Sequence, residues 1–483
     1  MDVHHPSFTR PAISTARPHA QPLNSKLINC LMGLTIGALV APTYLLSAAN
    51  PAMAQFTPST QSEQSDQAPA FAATTIPDSI ADATAAPTSV QSLLSTEFPP
   101  AEEVLQLASA PSQLAVRSIW LDRETIVNAG SPQGLARVFD RFKSAGINTV
   151  FVETVNAGYP IYPSDVAPEQ NPNIQGWDPL QAAVDLGKAN GIEVHAWVWL
   201  FAAGNQAHNR LLGQPSHYPG PILSARPDWA GFDNHGNLII PGQNKPFLDP
   251  ANPEVRQYLL DMLGEIATQY DVDGIQLDYV RYPFQDPSAN RLFGYGNAAR
   301  EQFHRLTGVD PITLSPRNNG DPRMARLWSQ WTDFRAQQVS TFVAAASRQL
   351  RRQRPDLTLS AAVFAEDTYK RRHELQQDWE DWADQGIVDW IVLMSYASNT
   401  REFEDLIRPW VIESSFRHTQ VIPGIRLLGL PTSEALSQIQ LLQDMPVDGY
   451  ALFAADNLDS EMQSMLVGIN DGDGFAIASN PND

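Results

Sequence analysis

Short runs of β-branched and aromatic residues recur from position 116 onward, and each is followed by a stretch whose apolar positions fall at helical spacing. The runs lie at 116–122 (VRSIWLD), 149–155 (TVFVETV), 193–201 (EVHAWVWLF), 273–280 (DGIQLDYV), 358–365 (TLSAAVFA), 389–396 (DWIVLMSY), 420–427 (QVIPGIRL) and 449–455 (GYALFAA). Amphipathic stretches fill 132–145, 178–190, 253–270, 323–354, 373–385, 400–414 and 432–444, with a last one from 458. Gly146 and Gly191 stand where helix C-caps belong, since a residue without a Cβ takes the left-handed turn at least cost. The alternation predicts parallel βα units, and eight of them predict an α/β fold closed as a (β/α)8 TIM barrel.

Two connections, 202–252 after the third strand and 283–322 after the fourth, far exceed the roughly 2–6 residues usual between such elements. Both leave the C-terminal ends of strands, the face where barrel enzymes carry their chemistry, so both are expected to wall a cleft.

Ahead of the barrel the pattern is different. Lys26 precedes the apolar run 27–48, and Ala52-Met53-Ala54 supplies small residues of the kind a signal peptidase reads. Residues 1–54 are therefore expected to be a cleaved Sec-type signal peptide, which implies a periplasmic or extracellular protein with no membrane span after cleavage. Residues 55–112 are rich in Ala, Ser, Thr, Gln and Pro and lack Lys and Arg, as a low-complexity linker would. The catalytic domain is expected over 113–469 and a flexible tail over 470–483.

The net charge of −21 repels polyanions, which argues against nucleic acid as a partner. Cys30 is the only cysteine, so neither an internal disulfide nor a thiolate metal site can form. No His-x-x-x-His spacing, no G-x-S-x-G elbow and no Gly-rich phosphate loop occurs, so neither a metal nor a cofactor is expected. What remains is chemistry performed by carboxyl groups.

Cleaving a glycosidic bond takes two of them, one to protonate the leaving oxygen and one to stabilise or attack the anomeric carbon. Acids at predicted strand ends are Asp122, Glu153, Asp278 and Glu366. The period of two along the fourth strand puts Gln276 and Asp278 on one face, with Asp278 uppermost and directed into the mouth. Glu366 follows the adjacent strand, which supports Asp278 as nucleophile and Glu366 as general acid, with Asp367 competing for the latter role. Glu153 and Asp122 are placed to orient the pair or bind a sugar hydroxyl. Tyr159, Tyr162, Trp197, Trp199, Tyr279 and Tyr396 crowd the same face, and sugar rings stack on such side chains. A polysaccharide or oligosaccharide is the partner this implies.

Several blocks resemble the glycosyl-hydrolase-like 10 family of bacterial barrels. They are Arg117 to Leu121, Gly158 to Ser164, His195 to Trp197, Phe247 to Arg256 and, most specifically, Tyr270 to Pro283. The resemblance covers roughly 115–466. It implies a glycosidase fold, probes of substrate that include His195 and Arg281, and action on a cell-envelope polysaccharide such as the amino-sugar glycan of peptidoglycan. An acid on strand four and a glutamate after strand five look like the α-amylase arrangement, which implies a retaining hydrolase. A substrate with a 2-acetamido group could instead supply its own carbonyl as nucleophile, leaving Asp278 to orient it. The other expectation left open is a non-catalytic glycan-binding or cell-wall scaffolding protein on the same barrel.

Overall fold

The computed structural model describes residues 114–470, apart from 241–242, 318–319 and 415. The expected signal peptide, linker and the tail beyond Asn470 lie outside the described residues. The strands are β1 (Val116–Leu121), β2 (Thr149–Asn156), β3 (Tyr159–Pro160), β4 (Glu193–Trp199), β5 (Gly274–Asp278), β6 (Thr358–Phe364), β7 (Trp390–Met394), β8 (Gln420–Arg426) and β9 (Gly449–Phe453). All but β3 are parallel, and β1 pairs with both β2 and β9, so the sheet closes into the expected barrel. The short β3 runs antiparallel to the end of β2.

The main helices are α1 (Arg123–Ala129), α2 (Pro132–Ser144), α3 (Pro179–Asn190), α4 (Pro253–Gln269), α5 (Asn297–Thr307), α6 (Pro322–Gln353), α7 (Trp379–Asp384), α8 (Thr400–Val411), α9 (Thr432–Gln443) and α10 (Ser460–Asn470). A local rule starts four of them. Ser131, Asp178, Asn252 and Asp321 each cap a free backbone N–H, and the proline that follows enters the first turn, where its missing N–H costs nothing. Gly146 (φ 72°) and Gly191 (φ 68°) take the left-handed conformation, as expected. The helix expected over 373–385 is interrupted, because a π-helical turn over Arg371–Leu375 ends at Gln376, φ 51°, and helix resumes only at α7. The expected list also lacked α1, whose N-cap is Asp122.

Alternate residues of each strand fill the barrel. Trp120 Nε1 donates to Gln276 Oε1 across the interior at 2.5 Å, and the Phe151 ring lies 5.3 Å from that of Trp120. Below them His195 stacks on Trp390, with ring centroids 4.9 Å apart. The same alternation carries the upper ends of β2, β4, β5 and β8 to Glu153, Trp199, Asp278 and Arg426. The long connection after β5 is braced by buried Arg335 of α6, whose Nη1 donates to Gln285 Oε1 at 2.7 Å and to the Phe293 carbonyl at 2.8 Å.

Candidate active site

Strand β4 lies beside β5 with Trp197 opposite Gln276 and Trp199 opposite Asp278. This register puts the Trp197 indole one step below the Asp278 carboxyl group, and its Nε1 donates to Oδ2 at 2.9 Å. The backbone N–H of Tyr279 donates to Oδ1 at 2.6 Å. Asp278 is 8% exposed. Its burial raises the carboxyl above its ordinary range, against the pull of the two N–H donors and of nearby Arg281 and Lys245. Tyr279 turns the chain out of the strand at φ 49° and lays its ring 4.2 Å from that of Trp199.

Glu153 lies two residues above Phe151 on the inner face of β2, and the register slips just after it, between Glu153 and Val155. Its Oε2 accepts from the Arg123 backbone N–H at 2.6 Å, and its Oε1 accepts from the Asn156 amide. The group is 4% exposed. Burial outweighs the opposing charge of Arg123 and the Asn156 bond, and pushes the carboxyl up to about 7. The Tyr279 phenol, raised first by its own burial, feels the charges of both Asp278 and Glu153. The ring thus lies within reach of both acids.

The other sequence candidates separate into those at the mouth and those away from it. Trp197, Trp199, Tyr279 and Arg281 surround Asp278, and Tyr396 stacks on Phe453 with centroids 5.5 Å apart, within reach of the Asp278 charge. Arg281 is 7% exposed and donates to the Tyr282 carbonyl at 2.8 Å. Tyr159 is buried and borders a small cavity with Arg123, Asn156, Asn205 and His208.

Tyr162 is not brought to the mouth, because its hydroxyl donates to Glu265 Oε2 of α4 at 2.8 Å, on the outside of the barrel. His195 is fully buried low in the barrel, opposite Gly274 at the start of β5, and stacks on Trp390 as core. Asp122 is occupied as a cap, with Oδ1 and Oδ2 accepting from the Thr125 N–H and hydroxyl at 2.8 Å each.

Glu366 lies past the level of Asp278, since Leu277 stands opposite Ala361 on β6. It forms an ion pair with Lys370 at 3.0 Å, and its carbonyl accepts from Arg371 Nε. Asp367 caps the next turn through the Lys370 N–H at 2.9 Å.

Sequence reasoning missed Lys245, Arg426 and Phe453. Lys245 is the lone lysine between Lys188 and Lys370, in an irregular loop where no periodicity marks it. Arg426 and Phe453 end β8 and β9 on the inner face, so the period of two that found Asp278 would also have found them.

A closed parallel barrel with buried carboxyl groups, indoles and a phenol gathered at the C-terminal ends of its strands is the architecture of a barrel glycosidase. The chain belongs to the Glycosyl hydrolase-like 10 family, which it matches over residues 115–436. Glycosyl hydrolase DigH of Escherichia coli K12 is 23% identical over 419 residues, covering 76% of this chain and 89% of that protein. Glycosyl hydrolase YngK of Bacillus subtilis is 21% identical over 350 residues, covering 66% and 62%.

Among solved structures, the PgaB (BpsB) glycoside hydrolase domain of Bordetella bronchiseptica superposes with a TM-score of 0.53 at 14% identity, covering 73% of this chain and 98% of that one. A catalytic mutant of the GH42 β-galactosidase Gan42B from G. stearothermophilus gives 0.53 at 13%, covering 75% and 57%. These two share the fold. The family and the fold together make this a glycoside hydrolase-type protein with a carbohydrate substrate. Among the described residues no helix is long and apolar enough to cross a membrane, and no group of three His, Cys, Asp or Glu side chains is placed to hold a metal ion.

Proposed function

We propose that this protein is an exported, retaining glycoside hydrolase that cleaves a cell-envelope polysaccharide, with the amino-sugar glycan of peptidoglycan as the candidate substrate. Asp278 is the carboxylate that faces the anomeric carbon, and Glu153 rather than Glu366 gives the proton. The observation that carries this reading is the pair of buried carboxyl groups around Tyr279, of which Glu153 is pushed up to about 7. A general acid must hold its proton near neutral pH and release it on demand, and a carboxyl poised there does both. Glu366 stands beyond the strand end, paired with Lys370. Direct attack by Asp278 needs no room for an intervening water, which suits a carboxyl 8% exposed and packed against Trp197.

The test measures release of reducing ends from peptide-free glycan strands, with the first-formed anomer read by NMR. Asp278→Asn and Glu153→Gln are each expected to lower kcat by at least about a thousandfold, and Glu366→Gln by less than about tenfold. An active Glu153→Gln beside an inactive Glu366→Gln would return the proton donor to Glu366. Full activity in Asp278→Asn would remove the mechanism, and glycan retention without turnover by the unaltered protein would favour a binding role. Export is tested by whether the mature protein begins at Gln55 and fractionates outside the cytoplasm.

A further inference from the structure

The chain that crosses above β5 brings a second cation to the mouth. The Ala203 N–H donates to the Pro246 carbonyl at 3.0 Å and the Leu248 N–H to the Phe201 carbonyl at 2.8 Å, which clamps the segment around Lys245 to the extension of β4. The Lys245 ammonium then lies 5.8 Å from the Trp199 ring centroid and 5.7 Å from that of Tyr279. Arg281 places its guanidinium 5.1 Å from the same Tyr279 ring, while Phe284 and Phe364 hold it at 4.8 and 5.2 Å.

Several cations of the molecule are neutralised by a neighbouring acid. Arg300, Arg351 and Arg372 meet Asp310, Asp389 and Asp378 at 2.5, 2.9 and 2.7 Å. Among the described residues, Lys245 and Arg281 form no ion pair, although the protein as a whole carries a net charge of −21. Their proximity is felt: burial first, and then the Arg281 charge, push the Lys245 ammonium down to about 8, with Asp278 opposing. Asp278 is the carboxyl group whose charge reaches both cations. One carboxyl against two cations leaves positive charge over the aromatic floor where a sugar ring would lie, and such an excess recruits an anion.

We propose that Lys245 and Arg281 form a subsite for a carboxylate carried by the sugar bound against Asp278, so that the substrate contains an acidic sugar. This rests on the glycosidase reading and narrows its substrate class. The carboxylate has two possible sources, a lactyl ether on an amino sugar or the C6 carboxylate of a hexuronic acid. Aromatic stacking serves neutral and acidic rings alike, whereas the cation pair distinguishes them.

Trp197 and Trp199 border the subsite, so their fluorescence reports its occupancy without turnover. The full-length protein is titrated with N-acetylmuramic acid and N-acetylglucosamine, and with glucuronic acid and glucose. At least one acid is expected to bind about tenfold more tightly than its neutral counterpart, by an amount that shrinks as salt is added. A preference for N-acetylmuramic acid alone assigns the carboxylate to a lactyl ether, and one for glucuronic acid alone assigns it to C6. Lys245→Met is expected to abolish the preference by weakening the acid far more than its neutral counterpart, and Arg281→Lys, which keeps a charge among the rings, to reduce it. Equal binding of acids and neutral sugars, or a preference that survives Lys245→Met, overturns the subsite. If turnover proceeds without any acid preference, the subsite alone fails. If the acid preference holds in a protein that hydrolyses nothing, the subsite stands and the hydrolase reading fails.

Discussion

The Trp197 indole N–H donates to Oδ2 of Asp278 across 2.9 Å, from the strand next to the one that carries the acid. A donor of this kind stabilises the ionised carboxyl and opposes the burial that raises it. Trp197→Phe keeps the packing and deletes the bond. The Asp278 carboxyl should rise further, so the acidic limb of the pH dependence of kcat/KM should move to higher pH, with kcat at pH 7 lower by about tenfold or more. An unmoved acidic limb would separate Trp197 from the ionisation of Asp278.

Glu153 yields a prediction about stability. Its carboxyl ionises near 4.5 in an ordinary setting and at about 7 in the fold. A group raised in this way adds stability fully below the lower value and loses it as the pH climbs through the upper one. The displacement corresponds to about 3 kcal/mol. Glu153→Gln, neutral at every pH, should match the unaltered protein near pH 4 and exceed it in unfolding free energy at pH 8. Equal differences at both pH values would mean that Glu153 titrates normally.

The surface pair at Glu366 provides a contrast. Glu366 and Lys370 stand one helical turn apart, 3.0 Å from one another, with the Lys370 side chain 42% exposed. Such pairs contribute roughly 0–1 kcal/mol because solvent screens them. Lys370→Met should therefore shift the unfolding free energy by no more than about 1 kcal/mol and leave kcat/KM within about threefold. A hundredfold loss of activity would instead tie Lys370, and with it Glu366, to the reaction.

The barrel was legible in the sequence because its signals are local: short β-branched and aromatic runs, stretches of helical spacing, and glycines at Gly146 and Gly191. Asp278 was legible for the same reason, as the last inward residue of its strand. Other placements depended on partners distant in the chain. Tyr162 belongs to Glu265 and not to the mouth, and nothing near Tyr162 announces that hydroxyl-to-carboxylate bond. His195 was expected at the substrate through the family resemblance, and only the register against Gly274 shows that it sits at the lower end of the barrel. Asp122 was misjudged for a different reason. Its cap on Thr125 could have been read from the sequence, but the helix it starts is short and was passed over. Lys245 reaches the site on an irregular loop, where neither spacing nor capping chemistry predicts position.

The placement of His195 can be tested through its contact with Gly274. A Cβ built on Gly274 would lie 2.5 Å from His195 Nδ1, closer than unbonded atoms allow, and the imidazole has little room to retreat because Trp390 stacks on it and Phe151 meets it edge-on. Gly274→Ala should cost about 1–3 kcal/mol from overpacking. His195→Ala removes the ring and leaves a cavity, at a cost of about 2–4 kcal/mol by comparison with other large-to-small core changes. In the double variant the new methyl group occupies part of that cavity, so the combined loss should fall short of the sum by at least about 1 kcal/mol. Chemical denaturation of the four proteins measures the coupling. The soluble fraction of His195→Ala should also keep a KM close to that of the unaltered protein, because the ring lies below the substrate-facing layer. Strict additivity, or a large rise in KM on losing the imidazole, would move His195 out of the core and back to the cleft.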